Sequence, residues 1–423
     1  MNFVVVGLSH KTAPVEIREQ AYLPNEAVGE CLHRLVDHDL IESGVLLSTC
    51  NRTELYALTP DAHVPNQLLQ AFALWPHRLA LESWQRYAYE LGGRQAIAHL
   101  FRVAAGLESM VIGETQVLGQ LKDAMSLARR SGVTDARLEV VLQGAIRAGK
   151  RVRHETPLAR EPVSVSHAAV VLAAEILGGL EGRGVLLLGA GPMSEIALRL
   201  LQNRRIGQVF VASRTRDRAE RMARPAGAQA IAMDNLEQVA DGIDLVLSSS
   251  SAPHYLLSAD RVRALRSLSP SATLLLIDMA VPRDIDPLAA AIPGVLLRDI
   301  DDLQLIAERN REGRAAWIPA AEAVIEDELA RTERALEARD GANTIAALVR
   351  HAERVRDEVL ERQLARHPDL GDGGQAAMRE LAQALTARLL HQPIQALRES
   401  GEGGVEQNLI GKAFGLGPDS TKD

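Results

Sequence analysis

The sequence predicts a multidomain α/β protein. A ferredoxin-like α+β domain fills residues 1–160, a Rossmann-like doubly wound parallel sheet fills 161–305, and an all-helical domain with a flexible tail fills 306–423. Three observations carry this reading. Short β-rich runs alternate with helical ones in the order β-α-β-β-α-β before residue 93. Continuous apolar runs alternate with helices after residue 163. Beyond 302, Glu, Arg and Ala dominate with no β signal.

In the first domain FVVVGLS, GVLLST and TELYAL read as strands because β-branched and aliphatic side chains fill them. A helix spans 24–39, VPNQLLQAFALW is a second helix, and WQRYAYEL is the closing strand. From 94 to 153 the pattern turns helical, punctuated by Gly106, Gly113, Gly119 and Gly132, and Pro157 and Pro162 mark a domain edge. Ser164 or Ser166 caps the helix that opens the second domain. The runs GVLLL, QVFVAS, DLVL, TLLLI and GVLLRDI supply its strands. In the third domain Pro319 should kink or restart the first long helix, 344–366 and 375–390 continue helically, and the Gly-rich tail from Ser400 receives no regular structure.

The 423 residues are 47% hydrophobic and 24% charged, enough apolar material for several cores. Net charge is 47 − 55 = −8, so nucleic-acid contact would fall to a local patch such as Arg147, Lys150, Arg151, Arg153 and His154, which reads equally as a solvated helix face. Aromatic residues at 3% argue against a base-stacking platform. Two cysteines, Cys31 and Cys50, exclude a disulfide framework and imply a reducing compartment. No run reaches the ~18 apolar residues of a membrane span, and no cleavable leader is evident. A cytoplasmic protein without a membrane partner is expected.

After the strand GVLLL, Gly189-Ala190-Gly191-Pro192-Met193-Ser194 opens a helix. Glycines there let the backbone turn tightly and approach a pyrophosphate at a helix N-terminus. Ser194 occupies the third glycine position, which governs helix-to-strand packing, while Pro192 withholds one backbone donor. The next strand ends in Ser213-Arg214-Thr215, where an NAD site would carry an acid, so NADPH is the expected cofactor; the alternative is a surface arginine without a ligand. The serine run 248–251 and the segment 278–283 end two further strands, either on the ligand crevice or as ordinary loops.

Cys31 lies on the apolar face of ECLHRLV and reads as core. Cys50 sits at a strand end in Ser-Thr-Cys-Asn-Arg-Thr-Glu, two residues from Arg52, whose charge can stabilise a thiolate; a nucleophile and an exposed thiol without a role fit equally. His99 lies about 200° around its helix from Ile97, off the core face, either solvated or presented to a cleft for proton transfer. The polar, glycine-punctuated stretch 109–120 suits a loop folded around a polar ligand, or a capped helix start.

Several segments together resemble the glutamyl-tRNA reductase family. They are Gly7-Leu8-Ser9-His10-Lys11-Thr12-Ala13-Pro14-Val15, the run around Cys50, GLESMVIGETQVLGQ over 106–120, AGKRVR from Ala148, and GAG at 189, in consistent order over residues 1–310. The resemblance implies that Cys50 attacks the ester of glutamyl-tRNA, releasing tRNA and leaving a thioester that is reduced with NADPH to glutamate-1-semialdehyde, the opening of tetrapyrrole synthesis from glutamate. It assigns Thr49, Asn51, Arg52, Ser109, Glu114, Thr115, Gln116 and Gln120 to the glutamate and marks His99 as important for activity. Arg52 would clamp the substrate carboxylate and Glu114 its ammonium. The long amphipathic stretches after Asp302 suit a homodimer, the family's separated cofactor and cysteine domains imply hinges near 157–162 or Pro319, and no metal ligands are assigned. An aminotransferase that takes the unstable aldehyde is a candidate partner.

Two other readings compete. A thiol-dependent semialdehyde dehydrogenase acting on an acyl phosphate would share Cys50 and the cofactor, but such enzymes place the nucleotide unit before the cysteine, and here Cys50 precedes Gly189. A nucleotide-sensing scaffold with an inert Cys50 leaves 109–120 without a role.

Overall fold

A computed structural model of the chain describes residues 2–60, 67–68, 79–159, 164–250, 252–268, 273–303, 306, 315–399, 409 and 413–414. By contacts the chain forms two compact units, 1–329 and 330–423.

The first unit holds two sheets. In the smaller one, β1 (Phe3–Ser9), β2 (Ser43–Ser48), β3 (Arg52–Leu58) and β4 (Tyr89–Gly92) lie in the order β2-β3-β1-β4. The pairs β2–β3, β3–β1 and β1–β4 are all antiparallel, which is the ferredoxin-like arrangement the sequence predicts. Helices α1 (Val15–Ala21) and α2 (Asn25–Asp37) connect β1 to β2. The predicted helix VPNQLLQAFALW lies outside the described residues except for 67–68. The predicted strand WQRYAYEL divides: α3 (Leu81–Tyr87) precedes β4, and only the latter pairs with β1, in the register Val5↔Leu91. Trp84 is fully buried from that helix, and apolar spacing of three to four residues won over a two-residue alternation that is short enough to fit both.

Three helices follow: α4 (Gly93–Ala104), α5 (Gln116–Arg130) and α6 (Ala136–Glu155), with Asp135 capping α6 by accepting from the Leu138 amide at 2.8 Å. Packing of α4 on β1 and of α5 on β2 buries the faces that α2 leaves open.

The larger sheet contains β5 (Val185–Leu188), β6 (Val209–Ser213), β7 (Gln229–Ala232), β8 (Leu245–Ser248), β9 (Leu274–Asp278) and β10 (Val295–Arg298) in the order β7-β6-β5-β8-β9-β10. All its pairs are parallel, as in a doubly wound sheet. Alternate residues feed two cores: Val185, Leu187, Val211 and Leu247 face one, Leu186, Leu188, Phe210 and Val246 the other. Strand β7 was absent from the sequence reading because QAIA is short, part-exposed and at the sheet edge, so it carries no buried apolar run. Ser164 caps α7 (Val165–Leu177), accepting from the His167 amide, and α8 (Pro192–Gln202), α9 (Arg216–Ala223) and α10 (Ala259–Leu268) follow β5, β6 and β8. The order reverses between β5 and β8, and a doubly wound sheet opens a crevice there, at the carboxyl ends of its strands.

Helix α11 (Ile318–Arg366) starts one residue before Pro319, so the proline sits in the first turn, where its missing N–H costs nothing, and restarts the helix rather than kinking it. In the second unit α11 and α12 (Asp372–Glu399) share a small core of Leu348, Leu390 and Leu397.

Candidate active site

The β2–β3 turn places Cys50 at its apex. The Thr49 hydroxyl accepts from the amides of Asn51 and Arg52, both at 3.2 Å, and the Thr49 amide donates to the Arg52 carbonyl at 2.8 Å. The His10 amide donates to the Asn51 carbonyl at 2.8 Å, and Arg18 donates to the carbonyl of Cys50 itself at 3.2 Å. Thr49 therefore shapes the turn. Cys50, half-buried, packs against the apolar cluster shared by the larger sheet, Val15, Met110 and Val111.

This surrounding corrects one expectation. Burial pushes the Cys50 thiol up to about 12, the negative field of Glu114 adds to that, and the cations Arg18 and Arg52 oppose it without prevailing. At rest the thiol is protonated.

Arg52 is buried and turned inward. It donates to Glu54 at 2.8 Å and to the carbonyl of Glu108, so its fork ties the hairpin to the 105–115 loop instead of reaching out as a free carboxylate clamp. Glu54, which sequence reasoning quoted without a role, is the centre of this network. It accepts from Arg52, Tyr56 and Tyr89 and meets His99 Nε2 at 2.9 Å. Burial alone would raise its carboxyl, but Arg52 and His99 hold it well below the usual range. His99, with a side chain 13% exposed, is thereby an anchored histidine rather than a solvated one. The signal for Glu54 was an acid facing inward in a strand whose neighbours are all apolar or paired, visible only once the register was known.

The 105–115 loop returns tightly on itself. Gly106 has φ +76°, and a Cβ there would lie 2.9 Å from the Glu114 carbonyl. Ser109 and Glu114 are buried in it, whereas Thr115 is exposed at the start of α5. Burial lifts the Glu114 carboxyl to about 7, with Arg52 partly opposing. Three buried polar atoms lack hydrogen-bond partners: His10 Nδ1 and Asn51 Oδ1 at the β2–β3 turn, and Gln116 Nε2 at the start of α5. Burial, with Arg52, Arg18 and Lys11 nearby, lowers His10 to about 3 and keeps it neutral.

The nucleotide loop lies across a cavity of about 830 Å³. Gly189, Ala190, Gly191, Pro192, Met193, Ser213, Arg214 and Thr215 line one wall, Ser249 and Ser250 a second, and Gln116 and Gln120 of α5 the facing one. Gly189 has φ +106°, and a Cβ would stand 2.9 Å from the Ser249 carbonyl. Pro192 is the first residue of α8 (Pro192–Gln202), where an N–H would have no helical partner, so the missing donor costs the helix little. Ser194 is buried with its hydroxyl 2.7 Å from that of Ser249; it packs the loop and does not line the cavity. Arg214 lies close enough to Asp284 for its charge to act on that carboxyl. Of the two strand-end segments, Ser249 and Ser250 reach the cavity, 278–283 does not, and Ser251 lies outside the described residues. Cys50 and His99 are not on the cavity wall.

The basic patch is largely spent internally. Arg147 pairs with Glu328 at 3.1 Å, Arg151 with Glu155, Asp327 and Glu328, and Arg153 with the Thr115 carbonyl. No helix among the described residues is long and apolar enough to cross a membrane.

Three family models match the chain: the glutamyl-tRNAGlu reductase N-terminal domain over 6–156, shikimate/quinate 5-dehydrogenase over 171–306, and the glutamyl-tRNAGlu reductase dimerisation domain over 320–416. The glutamyl-tRNA reductase of Syntrophotalea carbinolica is 39% identical over 425 residues, covering 100% of this chain and 96% of its own. That of Moorella thermoacetica is 40% identical with the same coverage. The solved glutamyl-tRNA reductase from Methanopyrus kandleri is 35% identical, superposes with a TM-score of 0.51, and covers 98% of this chain and 99% of its own.

Proposed function

This chain belongs to the glutamyl-tRNA reductase family, and from that premise we propose how its residues carry out the reduction of glutamyl-tRNA to glutamate-1-semialdehyde for tetrapyrrole synthesis. The observation that carries the reading is the place of Cys50: the apex of a hydrogen-bonded turn, packed against the core of the nucleotide-binding sheet.

The aminoacyl group binds beside the turn, where unpartnered Gln116 Nε2 suits a carboxylate oxygen and unpartnered Asn51 Oδ1 suits the ammonium. Ser109, Thr115 and Gln120 complete this subsite, with Thr49 and Arg52 holding its geometry. The substrate's ammonium also meets Glu114 and cancels the negative field that helps keep the thiol protonated, so binding itself lowers the Cys50 pKa. The thiolate attacks the ester carbonyl carbon, a C–S bond forms, and the C–O bond to the terminal ribose breaks. His99, its Nε2 edge fixed by Glu54, takes the thiol proton at Nδ1 and hands it to the departing oxygen.

The residues around the cavity fit a nicotinamide dinucleotide, because only a glycine at 189 leaves the backbone open and α8 points its N-terminus there. When bound, the reduced cofactor supplies the hydride that turns the thioester into the aldehyde. We assign NADPH, since the end of β6, where an acid would hold a free ribose hydroxyl, carries the cation Arg214 instead.

Residues 1–160 form the substrate domain, 161–305 the cofactor domain and 306–423 a helical domain that makes a homodimer. A cytoplasmic setting suits two unpaired thiols, and a docked aminotransferase suits an unstable aldehyde product.

The test is NADPH oxidation with glutamyl-tRNA, set against uncharged tRNA plus free glutamate, with Cys50→Ser in parallel. Oxidation only with charged tRNA and native protein is expected; equal oxidation by the Cys50→Ser protein would remove Cys50 from the role of nucleophile.

A further inference from the structure

Helix α1 carries three charged side chains that the chemistry above does not use, and each of them reaches the nucleotide-binding sheet. Arg18, 2% exposed, donates to the Cys50 carbonyl at 3.2 Å, to the Ala13 carbonyl at 3.1 Å, and to Asp301 Oδ1 at 2.8 Å, just beyond β10. The other oxygen of Asp301 accepts from the amide of Val15, the first residue of α1, at 2.8 Å. Glu19 takes a two-pronged contact from Arg283, at 3.0 and 2.7 Å, and Glu16 receives a third nitrogen of the same arginine at 3.2 Å. Bidentate Arg–carboxylate pairs are directional as well as attractive.

Arg283 leads back to the cofactor cavity. The next residue, Asp284, accepts from the Ser248 hydroxyl at 2.5 Å and from the Ser250 amide at 2.7 Å, and Ser249 and Ser250 line that cavity. Hydrogen bonds, joined by the backbone steps Asp284–Arg283 and Glu19–Arg18, thus connect the cofactor wall to the carbonyl of the nucleophile.

We propose that α1 is the tie that sets the distance between Cys50 and the cofactor, with Arg18, Glu19 and Arg283 as positioning residues for hydride delivery and not for acyl transfer. The proposal rests on the Cys50 thioester reading. Attack on the ester needs the turn, the glutamate subsite and His99, all carried by the smaller sheet and its helices. Reduction needs the acyl carbon held against a cofactor bound on another sheet, and misplacement by about 1 Å can cost roughly a hundredfold in rate.

Single-turnover reactions with labelled glutamyl-tRNA and NADPH test this by comparing tRNA released with NADPH oxidised. Substituting Arg283→Gln or Glu19→Gln should leave tRNA release and NADPH affinity near native while the ratio of release to oxidation rises about tenfold. Glutamate then leaves Cys50 by water attack on the thioester carbonyl, the C–S bond breaking to restore the thiol. The exchange of both residues, Glu19→Arg with Arg283→Glu, should bring the ratio part of the way back. A native ratio in both single variants, or release and oxidation falling together, overturns the tie. Absence of labelled glutamate on the native enzyme after acid quench overturns the thioester, and the tie with it; a labelled native enzyme separates the two failures.

Discussion

Glu114 and Glu54 show how one residue type takes opposite tasks from its surroundings. Glu114 keeps its proton up to about 7 when folded, against an ordinary 4.5, so the folded state holds more protons than the unfolded one between those values and loses stability as pH rises through them. The difference amounts to about 3 kcal/mol. Glu114→Gln should therefore be more stable than the native protein at pH 8, by on the order of 1–3 kcal/mol, and no more stable at pH 4. Urea unfolding at both pH values reads this. The same substitution removes a field that raises the Cys50 thiol, so alkylation of Cys50 at pH 8 should accelerate; an unchanged rate removes the coupling. Glu54 behaves in the other sense. Its folded pKa is depressed, so its contribution is present above the ordinary 4.5 and is lost as pH falls below it. Glu54→Gln leaves Arg52 buried with an uncompensated charge, which costs on the order of 3–5 kcal/mol and should also slow turnover by loosening His99. The motif around Cys50 was legible as residue types. That Arg52 faces Glu54 was not, because the pairing is set by strand register and side-chain direction.

At the scale of elements, the glycine loop and the turn at 49–52 are local structures whose residues announce them. Gly189→Ala forces an alanine to φ +106° and drives its Cβ toward the Ser249 carbonyl. The strain is about 1–3 kcal/mol, and NADPH affinity measured by calorimetry should fall at least about tenfold. An affinity within twofold of native would mean that the loop does not bear the pyrophosphate. Other elements were read less well. The sequence pattern runs the closing strand of the first sheet into α3 and carries no signal for β7, for a common reason: four-residue edge strands contribute too few side chains to establish a period. Ser194 illustrates the reverse. Its small size at the third glycine position was read from the motif, and the structure adds that its hydroxyl is taken up by Ser249.

For the whole molecule, the helical unit leaves Leu381, Leu385 and Leu389 on one stripe of α12, 54–74% exposed and spaced four residues apart. A second copy is the occupant that the match to a dimerisation domain indicates. Leu385→Asp with Leu389→Asp should convert the dimer to a monomer in sedimentation equilibrium, with the sheets of the first unit intact; a dimer that persists would place the interface elsewhere. The basic residues from Arg147 to Arg153 carry a related lesson. Read along α6 they form a patch for phosphate, yet Glu328 and Asp327, far away in the chain, occupy them. Charge patterns within one helix say nothing of what a distant helix brings.

Most of the order of strands and helices, the glycine loop, the arginine in place of an acid at the end of β6 and the position of the thiol could be read from the chain, because each depends on residues close in sequence and on backbone preferences that act locally. The protonation of Cys50, the inward turn of Arg52, the central place of Glu54 and the route from Arg18 to Asp301 and Arg283 belong to the folded molecule alone. They are set by burial and by charges brought together from segments up to 283 positions apart, and both appear only when the chain has closed on itself.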